Sequence, residues 1–237
     1  MGSKVKCLVA VAHPDDETIW MGGVILRYSH WEWHILSLCR ADDKDRAPRF
    51  YHAARELGAH ARISDLDDSP ILAQLSPDLH EIKDRIAGSA DGDFDLIFTH
   101  GPQGEYTRHE RHEQVNRAVR EMVDSGTLSG ELVFFAYEDG GGARSPQPAP
   151  DAGIRVELRP AEYSKKVRII RDIYGFGENS FEMRAAGKVE AFRFHKNDGK
   201  VTIGDCRLQI ADSRGILPET ESEMRNMQSA ISLGLED

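Results

Sequence analysis

The sequence predicts an α/β fold, a Rossmann-like three-layer sandwich with a mostly parallel central sheet. Three observations predict it. Short apolar runs of strand length recur through the first half of the chain. Stretches with helical spacing of apolar residues separate them. Glycine and proline punctuate the joins. Strands that alternate with helices in this way pair in parallel, with helices covering both faces.

The elements follow in order. Val5 to Ala12 is a buried strand, and Thr18 to Tyr28 a helix despite Gly22 and Gly23. His34 to Cys39 is the second strand. From Arg46 to Leu57, Ala47, Phe50, Ala54 and Leu57 fall at helical spacing, and Gly58 stops the helix. Ser76-Pro77-Asp78 opens another helix with a capping residue, a proline at the first position and an acid. Leu79, Ile82 and Ile86 carry its apolar face toward Gly88. Asp95 to His100 is a strand. His112 to Val123 is the best-patterned helix, burying Val115, Ala118, Val119, Met122 and Val123. Leu132 to Tyr137 is a further strand. Beyond Glu138 the pattern loosens. Gly140 to Gly153 is a long loop rich in Gly, Pro and Ala, and loops of that length are commonly functional. Ala161 to Tyr174 is helical, Val189 to Phe194 and Val201 to Ile203 are late strands, and the segment from Leu217 is weakly helical. With no internal repeat and no linker, residues 1–237 are expected to form one domain. Its core spans about 4–195, with a C-terminal extension over 196–237.

Composition bounds the function. Of 237 residues, 40% are hydrophobic and 30% charged, which excludes disorder, collagen-like repeats and coiled coil. Thirty Lys and Arg against 40 Asp and Glu give a net charge of −10, with no basic stretch, so neither nucleic acid nor an anionic membrane is an expected partner. Cysteines 7, 39 and 206 lie far apart without a CxxC, which argues for a reducing compartment and against a disulfide framework. The apolar run from Cys7 to Ala12 is too short for a signal-peptide core or a membrane span. A cytoplasmic protein is expected.

The chemistry concentrates in two clusters. Ala12-His13-Pro14-Asp15-Asp16-Glu17 directly follows the first strand, where ligands bind in open α/β sheets. Imidazole and carboxylate are ligands for zinc and related divalent ions. Pro14 blocks helix continuation and stiffens the turn. Taken alone, two successive acids are also what a helix N-terminus favours. The second cluster runs from Thr99-His100-Gly101 through Gly104-Glu105-Tyr106-Thr107-Arg108-His109-Glu110-Arg111-His112. His109 and His112 are three residues apart and share a side of a helical turn. A solvated helix start explains the charges there but not the two histidines.

Together these motifs resemble the PIG-L/LmbE family of metal-dependent N-deacetylases. Two further features fit: Arg46 opening a helix that ends in Leu57-Gly58, and Glu190-Ala191-Phe192 late in the core. The resemblance implies that His13, Asp16 and His112 bind Zn2+, or Fe2+. It implies Asp15 as general base toward a metal-bound water. It makes His109 a protonated residue that stabilises the oxyanion or assists the leaving amine. Tyr106 and Arg46 would contact substrate. Metal-ligand count agrees, since three protein ligands leave a position for water. The sequence departs from the family's usual His-Pro-Asp-His: Arg111 stands before the last ligand. A cation there disfavours a protonated His109 unless Glu105, Glu110 or Glu113 compensates. Arg49 also replaces the glutamate usually found one turn after Arg46, and Tyr106 is one residue further from His109 than is common.

The implied function is release of acetate from an N-acetylated amino sugar of the N-acetylglucosamine type, or its conjugate, a small-molecule partner. Homo-oligomerisation is left open. A metal-dependent amidohydrolase on a non-sugar N-acyl amine is the alternative. A non-catalytic sugar- or nucleotide-binding module is a second, but it lacks the G-x-G-x-x-G after strand one. His30, His34, His52, His60 and His80 read as surface or satisfied residues, and Trp20, Trp31 and Trp33 as core. His100, Arg40, Glu138 and Asp139 stand at strand ends on the expected active-site side.

Overall fold

The computed structural model describes residues 4–69, 79–106, 108–139 and 145–195. Within it, Val5–His195 form one compact unit. Its strands are β1 Lys6–Val11, β2 Glu32–Cys39, β3 His60–Leu66, β4 Leu96–Thr99, β5 Glu131–Phe135, β6 Tyr137–Glu138, β7 Gln147–Pro148, β8 Ile154–Glu157 and β9 Val189–Phe194. The helices are α1 Asp16–Arg27, α2 Arg46–Leu57, α3 Leu79–Ala87, α4 Glu110–Asp124, α5 Pro160–Arg168 and α6 Phe181–Ala185, with a π-helical turn over Ile169–Ile173.

Seven strands form one sheet in the order β3-β2-β1-β4-β5-β9-β8, parallel from β3 to β5 and antiparallel at β9 and β8. The predicted α/β architecture is the one observed. β1 is buried on both faces, as a central parallel strand must be. Leu8, Ala10 and Ala12 share a core with Ile82, Ile86, Val115, Ala118 and Val119 of α3 and α4. On the other face lie α1, α2 and α5. Strand order reverses at β1, which pairs with β2 on one side and β4 on the other. Loops leaving the carboxyl ends of β1 and β4 therefore meet at a topological switch point.

Several elements escaped the sequence pattern, the strand β8 and the short helix α6 among them. β3 has only Leu66 buried, because it is a sheet edge and needs no continuous apolar run. The expected Leu132–Tyr137 strand divides into β5 and β6. The expected 140–153 loop includes β7, paired antiparallel with β6. Ser76-Pro77-Asp78, Val201–Ile203, the helix from Leu217 and the 196–237 extension lie outside the described residues. So does Cys206, while Cys7 and Cys39 are both buried. No helix of the described residues is long and apolar enough to cross a membrane.

Gly23 and Glu190 explain how α1 sits on the sheet. A Cβ at Gly23 would fall 2.3 Å from Leu158 Cδ2, so any larger residue here would have to push the Leu158 side chain aside. Glu190, on β9, accepts hydrogen bonds from the N–H groups of Gly23 and Val24 at 2.8 and 2.7 Å and from Lys166 Nζ at 2.7 Å. Glu190 and Lys166 are both wholly buried. The Glu190-Ala191-Phe192 run is thus a tie between sheet and two helices.

Candidate metal centre

Residues after β1 turn sharply. Pro14 keeps the chain out of helix, and Asp15 caps α1 at φ 120°, ψ −30°, a sparsely populated conformation for a residue with a side chain. Its carbonyl accepts the N–H groups of Thr18 and Ile19, both at 2.9 Å. Strain of this kind persists where the surroundings over-determine it, commonly at functional sites. Asp16 opens the helix, where the dipole favours an anion. Its Oδ2 accepts the His13 N–H at 2.8 Å, and its Oδ1 the Trp20 indole N–H at 3.1 Å. Trp20 is a core residue, as expected, and in addition orients this carboxylate from one turn further along α1.

The second wall comes from β4 and α4. Glu105 is fully buried. Its Oε1 accepts the Gly101 N–H at 2.8 Å, and its Oε2 lies 3.1 Å from His100 Nδ1 and 2.6 Å from His112 Nδ1. His100 Nε2 accepts the Ala12 N–H at 2.9 Å, so its proton sits on Nδ1. His100 is therefore a strut between β1 and Glu105 rather than a pocket residue. Burial alone would raise the Glu105 pKa, but His100 and His112 outweigh it and hold it at about 2. An ionised Glu105 accepts a hydrogen bond from the Nδ1–H of His112, which leaves the Nε2 lone pair facing Asp16.

Three donor atoms then converge. His13 Nδ1 lies 3.3 Å from Asp16 Oδ2, His112 Nε2 lies 3.5 Å from the same oxygen, and the two ring nitrogens are 3.3 Å apart. Tetrahedral zinc, about 2.0–2.1 Å from its nitrogen and oxygen ligands, needs ligand separations of about 3.3–3.4 Å. The triangle fits. Three other ligand combinations share these residues: His13–His109–His112, His13–Cys39–Asp68 and Asp16–His100–His112. His100 is already engaged with Ala12. Asp68 holds Arg40 Nη2 at 3.1 Å, and burial pushes the Cys39 thiol up to about 12. The last two are weaker seats for a cation, whereas His13–His109–His112 keeps both histidines of the triangle and exchanges Asp16 for His109.

Asp15 stands beside the triangle in the same cavity. Burial first, then the charges of Asp16 and Glu17, raise its pKa well above the ordinary range. Asp16 moves the other way: burial opposes its charge, but His112, His100 and His13 outweigh it. Two adjacent carboxylates driven apart suit different roles, one a proton acceptor and one a ligand. Arg46 Nη1 is 3.5 Å from Asp15 Oδ2, and its guanidinium lies over Phe176 at 4.6 Å. With Arg49 bonded instead to Asp45 and Ile173, Arg46 is left to Asp15.

His109 departs from expectation. Burial and the neighbouring His112 and His13 bring its pKa down to about 4, so the imidazole is neutral at pH 7. The expected compensation is absent among the described residues. Glu105 serves His100 and His112, Glu113 pairs with Arg108 at 2.5 Å, Glu110 is exposed, and His109 Nδ1 is buried without a hydrogen-bond partner. Arg111 is buried and turned away, donating to Gln114 Oε1 at 2.6 Å and to the Asp67 carbonyl. The ring of His109 nevertheless stacks on His112, centroids 4.2 Å apart, and faces the cavity. Burial and surrounding carboxylates raise the Tyr106 pKa, so it stays a neutral hydroxyl donor.

A cavity of about 250 Å³ contains all seven predicted site residues: His13, Asp15, Asp16, Arg46, Tyr106, His109 and His112. Asp68, Phe181 and Glu182 also line it and do not stand out in the sequence. Phe181 packs on Tyr106 with centroids 4.5 Å apart. Arg40 lines the cavity, whereas Glu138 and Asp139 do not.

Residues 8–123 match the family model described as PIG-L: GlcNAc-PI de-N-acetylase. No curated protein matches the chain. Among solved structures, the conserved protein TT1542 from Thermus thermophilus is similar at 18% identity and TM-score 0.55, over 79% of this chain and 93% of that one. The antimicrobial reagent A40926 pseudoaglycone deacetylase Dbv21 is similar at 14% identity and TM-score 0.55, over 81% of this chain and 97% of that one. At these identities the likeness is one of fold.

Proposed function

From the premise that residues 8–123 of this chain are a PIG-L domain, we propose that the protein is a metal-dependent N-deacetylase. It releases acetate from an N-acetylated amino sugar of the N-acetylglucosamine type, or from its conjugate. One observation carries the reading: three donor atoms of His13, Asp16 and His112 at tetrahedral spacing, with the carboxylate of Asp15 in the same cavity. The description of the family model and the deacetylase named among the similar folds support the reaction class.

A divalent cation bound there, Zn2+ or Fe2+, supplies Lewis acidity toward the amide carbonyl and makes water a nucleophile near neutral pH. The chain's own residues do the rest. Asp15 takes the water's proton and returns it to the departing amine nitrogen, as a carboxylate of raised pKa suits. Tyr106 donates its hydroxyl proton toward the carbonyl oxygen as charge develops there. His109 acts as a neutral imidazole in the same place and needs no positive charge. Arg46 tempers the charge on Asp15 and borders the substrate. At about 250 Å³ the cavity is smaller than the roughly 300–1,000 Å³ filled by drug-sized ligands. It therefore takes one acetamido group and its immediate ring, the remainder of the substrate lying outside.

The test is acetate release from N-acetylglucosamine and its glycoconjugates. Expected is activity that chelation abolishes and added Zn2+ or Fe2+ restores. Activity that persists after the metal is stripped would overturn the reading. Activity confined to non-sugar N-acyl amines would keep the chemistry and correct the substrate.

A further inference from the structure

His13 has a second partner that the metal triangle does not use. Its Nε2 lies 3.0 Å from Asp68 Oδ1. We propose that Asp68 is a positioning residue: it accepts a hydrogen bond from the Nε2–H of His13, and so fixes the tautomer and ring orientation that present Nδ1 to the cation. The inference rests on the metal reading above.

Imidazole offers a lone pair on one nitrogen only when its proton resides on the other. For His13 the donor facing Asp16 and His112 is Nδ1, so the proton belongs on Nε2, where Asp68 accepts it. Glu105 does the same for His112 with the nitrogens exchanged, taking Nδ1–H and freeing Nε2. Each ligand histidine thus has its own carboxylate.

Asp68 is itself held on two sides. Arg40 Nη2 meets its Oδ2 at 3.1 Å, from a backbone at φ 75° that aims the side chain across the ends of β2 and β3. Arg111 binds the carbonyl of the preceding residue, Asp67, and is anchored on Gln114. This gives the arginine before the last ligand a physical task. It ties the first turn of α4 to the segment after β3 and keeps Asp68 on His13. The carboxylate is also prevented from turning into the metal triangle, because one oxygen is bonded to His13 and the other to Arg40.

The test uses the metal-free full-length chain with Co2+ as probe, titrated by its visible absorption, in the wild type, Asp68→Ala and Asp68→Asn. Expected is a Kd about 10- to 100-fold weaker for Asp68→Ala, the range for loss of a partner behind a ligand histidine. Asp68→Asn, whose amide oxygen still accepts Nε2–H, should recover most of the affinity and the wild-type spectrum. Equal affinity in Asp68→Ala and wild type would overturn the proposal, as would an Asn variant no better than Ala. If Asp68→Ala lost activity while binding metal normally, Asp68 would act on substrate instead, and the proposal would fall. Failure of the wild type to bind any divalent ion would overturn the metal reading itself, which the wild-type titration reads separately.

Discussion

Replacing Asp15 by asparagine should lower turnover about 100- to 10,000-fold, the range for removing a general base, while metal content stays unchanged. Asparagine is the right substitution because it matches aspartate in size and shape, so it adds no strain to the turn beyond what Asp15 already carries. It also keeps a polar group opposite Arg46. The carboxylate of Asp15 is no part of the donor triangle, which is why metal should remain. The same variant carries a second expected result, in stability. Asp15 has its pKa raised in the folded state, by burial and by Asp16 and Glu17. A raised carboxylate pKa means the native state binds more protons than the unfolded one. Stability is then lost as pH rises from the unfolded value through the folded one. In the metal-free protein at pH 7, Asp15→Asn removes that penalty, so its Tm should exceed the wild type's. A base that costs stability is the usual trade at an active site. Thermal unfolding after chelation, beside acetate release with metal, measures both. Loss of turnover accompanied by loss of metal would instead make Asp15 a ligand.

Glu190→Ala should be the most destabilising single change in the described core. It strands the Lys166 ammonium without its 2.7 Å partner and leaves the N–H groups of Gly23 and Val24 without an acceptor. Breaking a buried pair by removing one member costs about 3–5 kcal/mol. For a protein of this size that lowers Tm by roughly 6–20 °C. Lys166→Met should cost less, because Glu190 keeps both backbone donors. Differential scanning calorimetry separates them. A Glu190→Ala variant within a degree or two of wild type would mean the pair adds little. The effect reaches the site because Gly23 and Val24 lie on α1, the helix that begins at Asp16.

The two clusters are legible because their residue types are costly to hold without a purpose and their strand-end position is readable from periodicity. His13, Asp15, Asp16 and His112 need only the apolar run before them and the helix after. Trp20 reads as core from its size, and its bond to Asp16 follows from i, i+4 spacing once α1 starts at Asp16. Asp68 is not legible, because it follows β3, and an edge strand with one buried residue leaves no apolar pattern. Phe181 and Glu182 come from a five-residue helix, too short for periodicity. The protonated His109 that the resemblance implies meets surroundings that favour the neutral ring, and a sequence motif carries no burial. That preference comes from desolvation and two neighbouring imidazoles, which only the assembled site brings together.

The most direct test is to locate the metal. The protein reconstituted with Zn2+ should be crystallised and the ion identified by anomalous scattering at the zinc edge. The expected result is one ion per chain, about 2.0–2.2 Å from His13 Nδ1, Asp16 Oδ2 and His112 Nε2, with Asp15 unligated. An ion held by Cys39 and Asp68, or no ion in this cavity, would contradict the account.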